Sequence, residues 1–67
     1  MMKIYVNHYG WVMGIKRDGW KVTGLKFTKH KEGAKPFKGD WTVDEEAGDA
    51  LRYAQGVMQC HVNKVFA

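Results

Sequence analysis

The sequence predicts an α+β fold: a small antiparallel β-sheet, made of three N-terminal strands plus a C-terminal strand, packed on one face by a single α-helix. Three observations predict it. Apolar and polar residues alternate over residues 3–9 and again over 58–66, which is the period of a half-buried strand. Asp18-Gly19 stands between two strand-like runs, the mark of a tight hairpin. Thr42-Val43-Asp44-Glu45 then opens a segment whose apolar residues recur at helical spacing. At 67 residues the chain makes one domain, 1–67.

Residues 3–9 form the first expected strand, with Ile4, Val6 and His8 on one side and Tyr5, Asn7 and Tyr9 on the other. Gly10 either ends this strand or bends it. Residues 11–28 form the hairpin. A type I′ turn centred on Asp18-Gly19 pairs Arg17 with Trp20 and Ile15 with Val22. The same register leaves Met13 opposite Gly24, where nothing packs. A bulge at Gly24 is therefore expected, bringing Met13 against Leu25 and Trp11 against Phe27. Residues 29–40 hold two glycines, the only proline and four lysines, and read as a loop with room for a short strand near Phe37.

The helix is expected over residues 43–55. The Thr42 hydroxyl would accept from the Glu45 N–H, and the Glu45 side chain would reach back to the N–H of Thr42. The acidic residues that follow suit the positive end of the helix dipole. Val43, Ala47, Ala50, Leu51, Ala54 and Met58 share one stripe, and Gly56 is a natural stop. Residues 58–66 form the closing strand, with Met58, Cys60 and Val62 on one face and Gln59, His61 and Asn63 on the other. One face of the sheet must bury the helix stripe. The expected core is Ile4, Val6, Met13, Ile15, Val22, Leu25, Phe27, Ala47, Leu51, Ala54, Cys60 and Val62.

Size and composition restrict function. A chain this short buries only about 60% of the surface its unfolded form exposes, so an enclosed active-site cleft is hard to build. Its 45% apolar content nevertheless marks a folded domain, not a disordered chain. Cys60 is the only cysteine, which excludes an intrachain disulfide and suits a reducing compartment. The opening Met1-Met2-Lys3-Ile4-Tyr5-Val6-Asn7-His8 lacks the apolar stretch of a signal peptide, and no run approaches the ~20 apolar residues of a membrane span. A cytoplasmic protein without a membrane partner is expected.

Catalytic constellations are missing from the pattern. Cys60 and His61 are adjacent, but neighbours in a strand point to opposite faces, so Cys60 reads as a small core residue. His8, His30 and His61 have no close metal-ligand spacing, and His8 and His61 would approach if the first and last strands pair. No glycine-rich phosphate loop precedes a helix. No enzyme activity, cofactor, metal or small-molecule substrate is expected.

Charge is the strongest functional signal. Residues 16–38 carry eight bases against Asp18 and Glu32, which leaves +6; residues 40–49 carry Asp40, Asp44, Glu45, Glu46 and Asp49 with no base, which is −5. Two candidate surfaces follow. Lys16, Arg17, Trp20, Lys21, Lys26, Lys29, Lys31 and Lys35, beside Trp11, have the chemistry to grip phosphates and stack on bases. Asp44, Glu45, Glu46, Asp49 and Tyr53, with Arg52 nearby, have the chemistry to dock on a basic protein groove. The ordinary alternative for both is a solvated surface with lysines guarding the sheet.

Two partial resemblances bear on this choice. Gly10-Trp11-Val12-Met13-Gly14-Ile15, Asp18-Gly19 and Thr42-Val43-Asp44-Glu45-Glu46-Ala47-Gly48-Asp49-Ala50 resemble AP2-type and integrase arm-binding domains. That resemblance implies a three-stranded sheet applied to DNA and backed by a helix. Residues 29–40 interrupt the pattern, and the last strand extends beyond it. In size and element order the chain also resembles small phage proteins that bind and inhibit host enzymes such as RNA polymerase or CRISPR complexes. The first expectation is thus a non-catalytic protein-binding modulator of phage-inhibitor type, with a protein partner. A basic-sheet nucleic-acid-binding module comes second, because a uniformly basic reader has no need of a −5 segment. A structural or assembly subunit that self-associates through a sheet edge comes third.

Overall fold

A computed structural model describes residues 1–39 and 42–66. Asp40, at the end of the expected loop, lies outside the described residues. The chain forms β1 (Met2–Val6), β2 (Gly10–Asp18), β3 (Lys21–Thr28), a 3₁₀ turn (Lys31–Gly33), helix α1 (Glu45–Arg52) continuing into a π-helical turn (Tyr53–Val57), and β4 (Val62–Phe66). The strands make one antiparallel sheet in the order β3-β2-β1-β4, with the helix on one face. This is the expected α+β architecture. The first and last strands pair, from Met2 opposite Phe66 to Val6 opposite Val62.

Met2, Ile4, Val6 and Val12 of the sheet and Ala47, Ala50 and Ala54 of the helix are fully buried, and Leu25, Leu51 and Phe37 nearly so. Ile15, Phe27, Met58, Cys60 and Val62 pack around them. The alanine stripe lets the helix lie close on the sheet, as its spacing predicts. Met13 departs from the expected core and is 46% exposed, while Val12 takes its place. The reason is the register. Val12 pairs with Phe27 and Gly14 with Lys26, so Met13 is an extra residue in β2. A bulge of this kind lets Val12 and Ile15, three apart, share one face.

A second shift adds Thr23 to β3, between the pairs Arg17–Val22 and Lys16–Gly24. A disruption was expected at Gly24; it falls one residue earlier. The turn also slips by one. Asp18 pairs with Lys21, and Gly19-Trp20 are the central residues. Gly19 alone of the two has positive φ, +64°. That is the pattern of a II′ turn, which takes glycine first, in place of the expected I′.

The first expected strand stops early. β1 ends at Val6, and Asn7-His8-Tyr9 form a three-residue turn closed by the Tyr9 N–H on the Val6 carbonyl at 3.0 Å, with His8 at φ +73°. Gly10 begins β2 at φ +113°, where a Cβ would stand 2.8 Å from the Thr28 carbonyl oxygen.

β1 and β2 pair only at Tyr5–Trp11 and Val6–Gly10. Beyond Trp11 the two strands separate, and the loop fills the opening. The Lys35 N–H donates to the Val12 carbonyl at 2.9 Å, and Phe37 exchanges two 2.8 Å bonds with Met2. The short strand expected near Phe37 is thus a single bridge, Met2–Phe37, and it carries Phe37 into the core.

The helix begins two residues later than expected. Asp44, not Thr42, is the N-cap: its carboxylate accepts from the N–H groups of Glu46 and Ala47. Val43, placed on the helix stripe by its spacing, therefore precedes the helix and is exposed. At the other end, Gly56 does not stop the helix. The Met58 N–H reaches the Tyr53 carbonyl and the Cys60 N–H that of Ala54, and the left-handed residue is Gln59 at φ +55°. These bonds satisfy the last carbonyls while widening the final turn. Residues 58–61 consequently lie outside β4, which starts at Val62 and not at Met58.

Candidate functional site

Cross-strand partners share a face, so the registers fix which side chains oppose the helix. Ile15–Leu25 and Val12–Phe27 face it; Asp18–Lys21, Lys16–Gly24, Gly14–Lys26 and Trp11–Thr28 face away, as do Lys3 and Tyr5 of β1. The open face therefore presents Lys3, Lys16, Lys21 and Lys26 around two aromatic rings, with Asp18 opposite Lys21 as an acid on the same face. The two inner hairpin pairs join a lysine to a glycine. The Lys26 stem lies across Gly14, and the Lys16 stem across Gly24. The glycines thus leave room for the lysine stems to lie flat on the sheet, as strand glycines do where another group approaches the backbone closely.

Tyr5 and Trp11 meet edge-to-face with ring centroids 5.2 Å apart. Lys31 holds its ammonium 5.8 Å from the Trp11 centroid, and Lys3 donates to the Lys31 carbonyl at 2.9 Å. The 3₁₀ turn thereby adds Lys31 to the open face and half-covers Trp11. Lys29 lies at the same end, with Tyr5 and Tyr9, around a surface depression. Trp20 stands at the hairpin tip, 92% exposed.

The structure thus brings Lys16, Lys21, Lys26 and Lys31 to one face and separates Arg17 and Lys35 from them. Arg17 turns to the helix side and donates to Asp49 at 2.8 Å; Arg52 also donates to Asp49. Lys35 reaches Glu46 at 3.2 Å and lies against the Phe37 ring. Asp44 is occupied as the N-cap and accepts a third bond, from the Lys38 N–H at 2.9 Å. That N–H first, then those of Ala47 and Glu46, hold its carboxyl below the usual carboxylate range despite some desolvation. The Tyr53 hydroxyl donates to the Thr23 carbonyl at 2.9 Å. Of the candidate acidic surface, four of five residues are therefore engaged within the chain; Glu45 is exposed.

Sequence reasoning missed Lys3 and Tyr5. Their alternation with Ile4 and Val6 was the available signal, since it puts them opposite the core. Cys60 is half-buried against the core, with its thiol 3.5 Å from the Met58 carbonyl oxygen, and His61 is exposed. Neither lies in a strand, so strand alternation does not set their directions, and both line one surface depression with Gln55 and Gln59. No group of three metal-ligating side chains forms among the described residues. No helix among them is long and apolar enough to cross a membrane. No family model, curated protein or solved structure matches the chain.

Proposed function

We propose that this chain is a non-catalytic binding domain that applies the open face of its sheet to nucleic acid. The observation that carries this reading is the pairing of the acids. Asp44, Glu46 and Asp49 act as cap or counter-ion on the helix side, whereas Lys3, Lys16, Lys21, Lys26 and Lys31 project from the opposite side. Three acids of the −5 segment, which argued against a nucleic-acid reader, thus have intramolecular roles, and Glu45 stays exposed. The lysines supply phosphate contacts, Gly14 and Gly24 seat the Lys26 and Lys16 stems on the sheet, and Trp20 offers a stacking surface.

Binding to a labelled single strand and a labelled duplex at ~50 mM salt tests the proposal, since phosphate contacts are strong there and weaken steeply with added salt. Lys16→Ala is expected to lower the slope of log affinity against log salt by about 1. Absence of binding to both probes overturns the reading.

A protein-binding modulator of the phage-inhibitor type is the second reading, and Trp20 favours it. A tryptophan almost fully exposed at a hairpin tip is the kind of side chain that anchors protein interfaces. Affinity capture with and without nuclease separates the two: partners retained by Trp20 after nuclease treatment are proteins.

A further inference from the structure

The two edges of the sheet differ in how open they are to pairing. β3 carries the extra residue Thr23, whose carbonyl is occupied by the Tyr53 hydroxyl, and it bears Lys21 and Lys26. Bulges and lysines blunt an edge, and since β4 also carries a lysine, Lys64, the bulge is the difference between the two. β4 runs Val62-Asn63-Lys64-Val65-Phe66 in unbroken register with β1, with neither bulge nor proline.

The outward main-chain groups of β4 follow from the bonds around it. The Asn7 N–H donates to the His61 carbonyl, and both main-chain groups of Met2 are turned towards Phe37, away from β4. Hydrogen-bonded and non-bonded pairs alternate along an antiparallel ladder. Asn63 and Val65 therefore bond to Tyr5 and Lys3, and Val62, Lys64 and Phe66 turn their N–H and C=O groups outward. Their side chains lie on the helix face, because their partners Val6, Ile4 and Met2 are buried there. A groove of about 300 Å³ lies beside them, lined by Gly48, Leu51, Arg52 and Gln55 of the helix and by Lys64. The four helix residues are spaced as one stripe.

We propose that the β4 edge takes an extended acidic segment of a partner protein by strand addition, with an aspartate or glutamate opposite Lys64. Main-chain bonds to Val62, Lys64 and Phe66 hold the segment, and alternate side chains enter the groove. The residue opposite Lys64 lies on its face, next to its ammonium and the Arg52 guanidinium, so a carboxylate is the complementary group. Residues two positions to each side lie opposite Val62 and Phe66, where apolar side chains fit. The motif is apolar–any–acid–any–apolar. A second copy of β4 is a poor occupant, because the fully overlapped antiparallel register sets Lys64 against Lys64. This edge is separate from the cationic face and is open whether or not that face binds nucleic acid.

The test is amide-resolved NMR titration with the blocked peptide Thr-Ile-Thr-Glu-Thr-Val-Thr. Shifts are expected at Val62, Lys64, Phe66 and Gly48. Lysine in place of the glutamate is expected to weaken binding about fivefold, and Lys64→Glu to reverse that preference. Methylation of the glutamate amide nitrogen is expected to remove binding. The proposal is overturned by no shifts at about millimolar peptide, by equal binding of the glutamate and lysine peptides, or by shifts at these amides that depend on protein concentration without peptide, which would put a second copy at the edge.

Discussion

The two faces of the sheet come from the same alternating strands, yet their charges have different fates. On the helix side five charges at the rim are matched, Arg17 and Arg52 with Asp49 and Lys35 with Glu46, while Glu45 and Lys64 stay exposed. On the open side Lys16 and Lys26 lie over glycines, and Lys31 over a tryptophan ring. Charge separated along a sequence is therefore a poor guide to charge separated in space. Folding returns Arg17 and Lys35 from the basic segment to the acidic helix, keeps Lys38 beside the Asp44 cap, and leaves Lys16, Lys21, Lys26 and Lys31 on the far side.

This contrast is broken most directly from the buried side. Phe37 holds the loop in the opening between β1 and β2, and Phe37→Ala is expected to cost about 3–5 kcal/mol in denaturant unfolding. A near-neutral result would mean that the loop does not complete the core. Leu51→Ala is expected to cost about 2–5 kcal/mol through loss of helix-on-sheet packing. Gly10→Ala places a Cβ against the Thr28 carbonyl at a φ that side chains rarely adopt, and is expected to cost about 1–3 kcal/mol.

The helix-side charges sharpen the comparison by smaller amounts. The Asp44 carboxyl is depressed chiefly by the Lys38 N–H, so its contribution is present above the unfolded carboxylate pKa and lost as pH falls through the lower folded value. The stability gap between wild type and Asp44→Ala is expected to be flat above about pH 4 and to narrow below it. Thermal melts across that range check the sign. Asp49→Ala removes the partner of Arg17 and Arg52 at a partly exposed site and is expected to cost at most about 1 kcal/mol. Smallest of all, Lys16→Glu with Lys26→Glu on the open face is expected to shift stability by no more than about 0.5 kcal/mol per site. The same pair is expected to remove nucleic-acid binding, separating the function of that face from its stability.

The hairpin, the helix and their order were legible because each depends on residues close in sequence. Asp18-Gly19 marked the turn, and Ala47, Ala50, Leu51 and Ala54 marked the stripe. The errors lay within one or two residues of these signals: the turn slipped to Gly19-Trp20, the cap moved from Thr42 to Asp44, and the helix passed Gly56. The shifted cap and the extended helix each satisfy main-chain groups that local pattern leaves open. The candidate site was half legible. Lys16, Lys21, Lys26 and Lys31 reach one face, but the departure of Arg17 and Lys35 depends on acids brought near by the helix.

By itself, the sequence determined the α+β class, the hairpin, the helix and the strand character of both ends, through periods of two and 3.6 residues that act over short range. Only the tertiary structure decided that β4 lies beside β1, that Met13 bulges out so that Val12 is buried, and that Phe37 closes the opening between β1 and β2. It also decided which charges are matched across the fold. The physical reason is the same in each case: a side chain's partner across a sheet or a helix interface is set by long-range pairing, and one extra residue in a strand reverses every face that follows it.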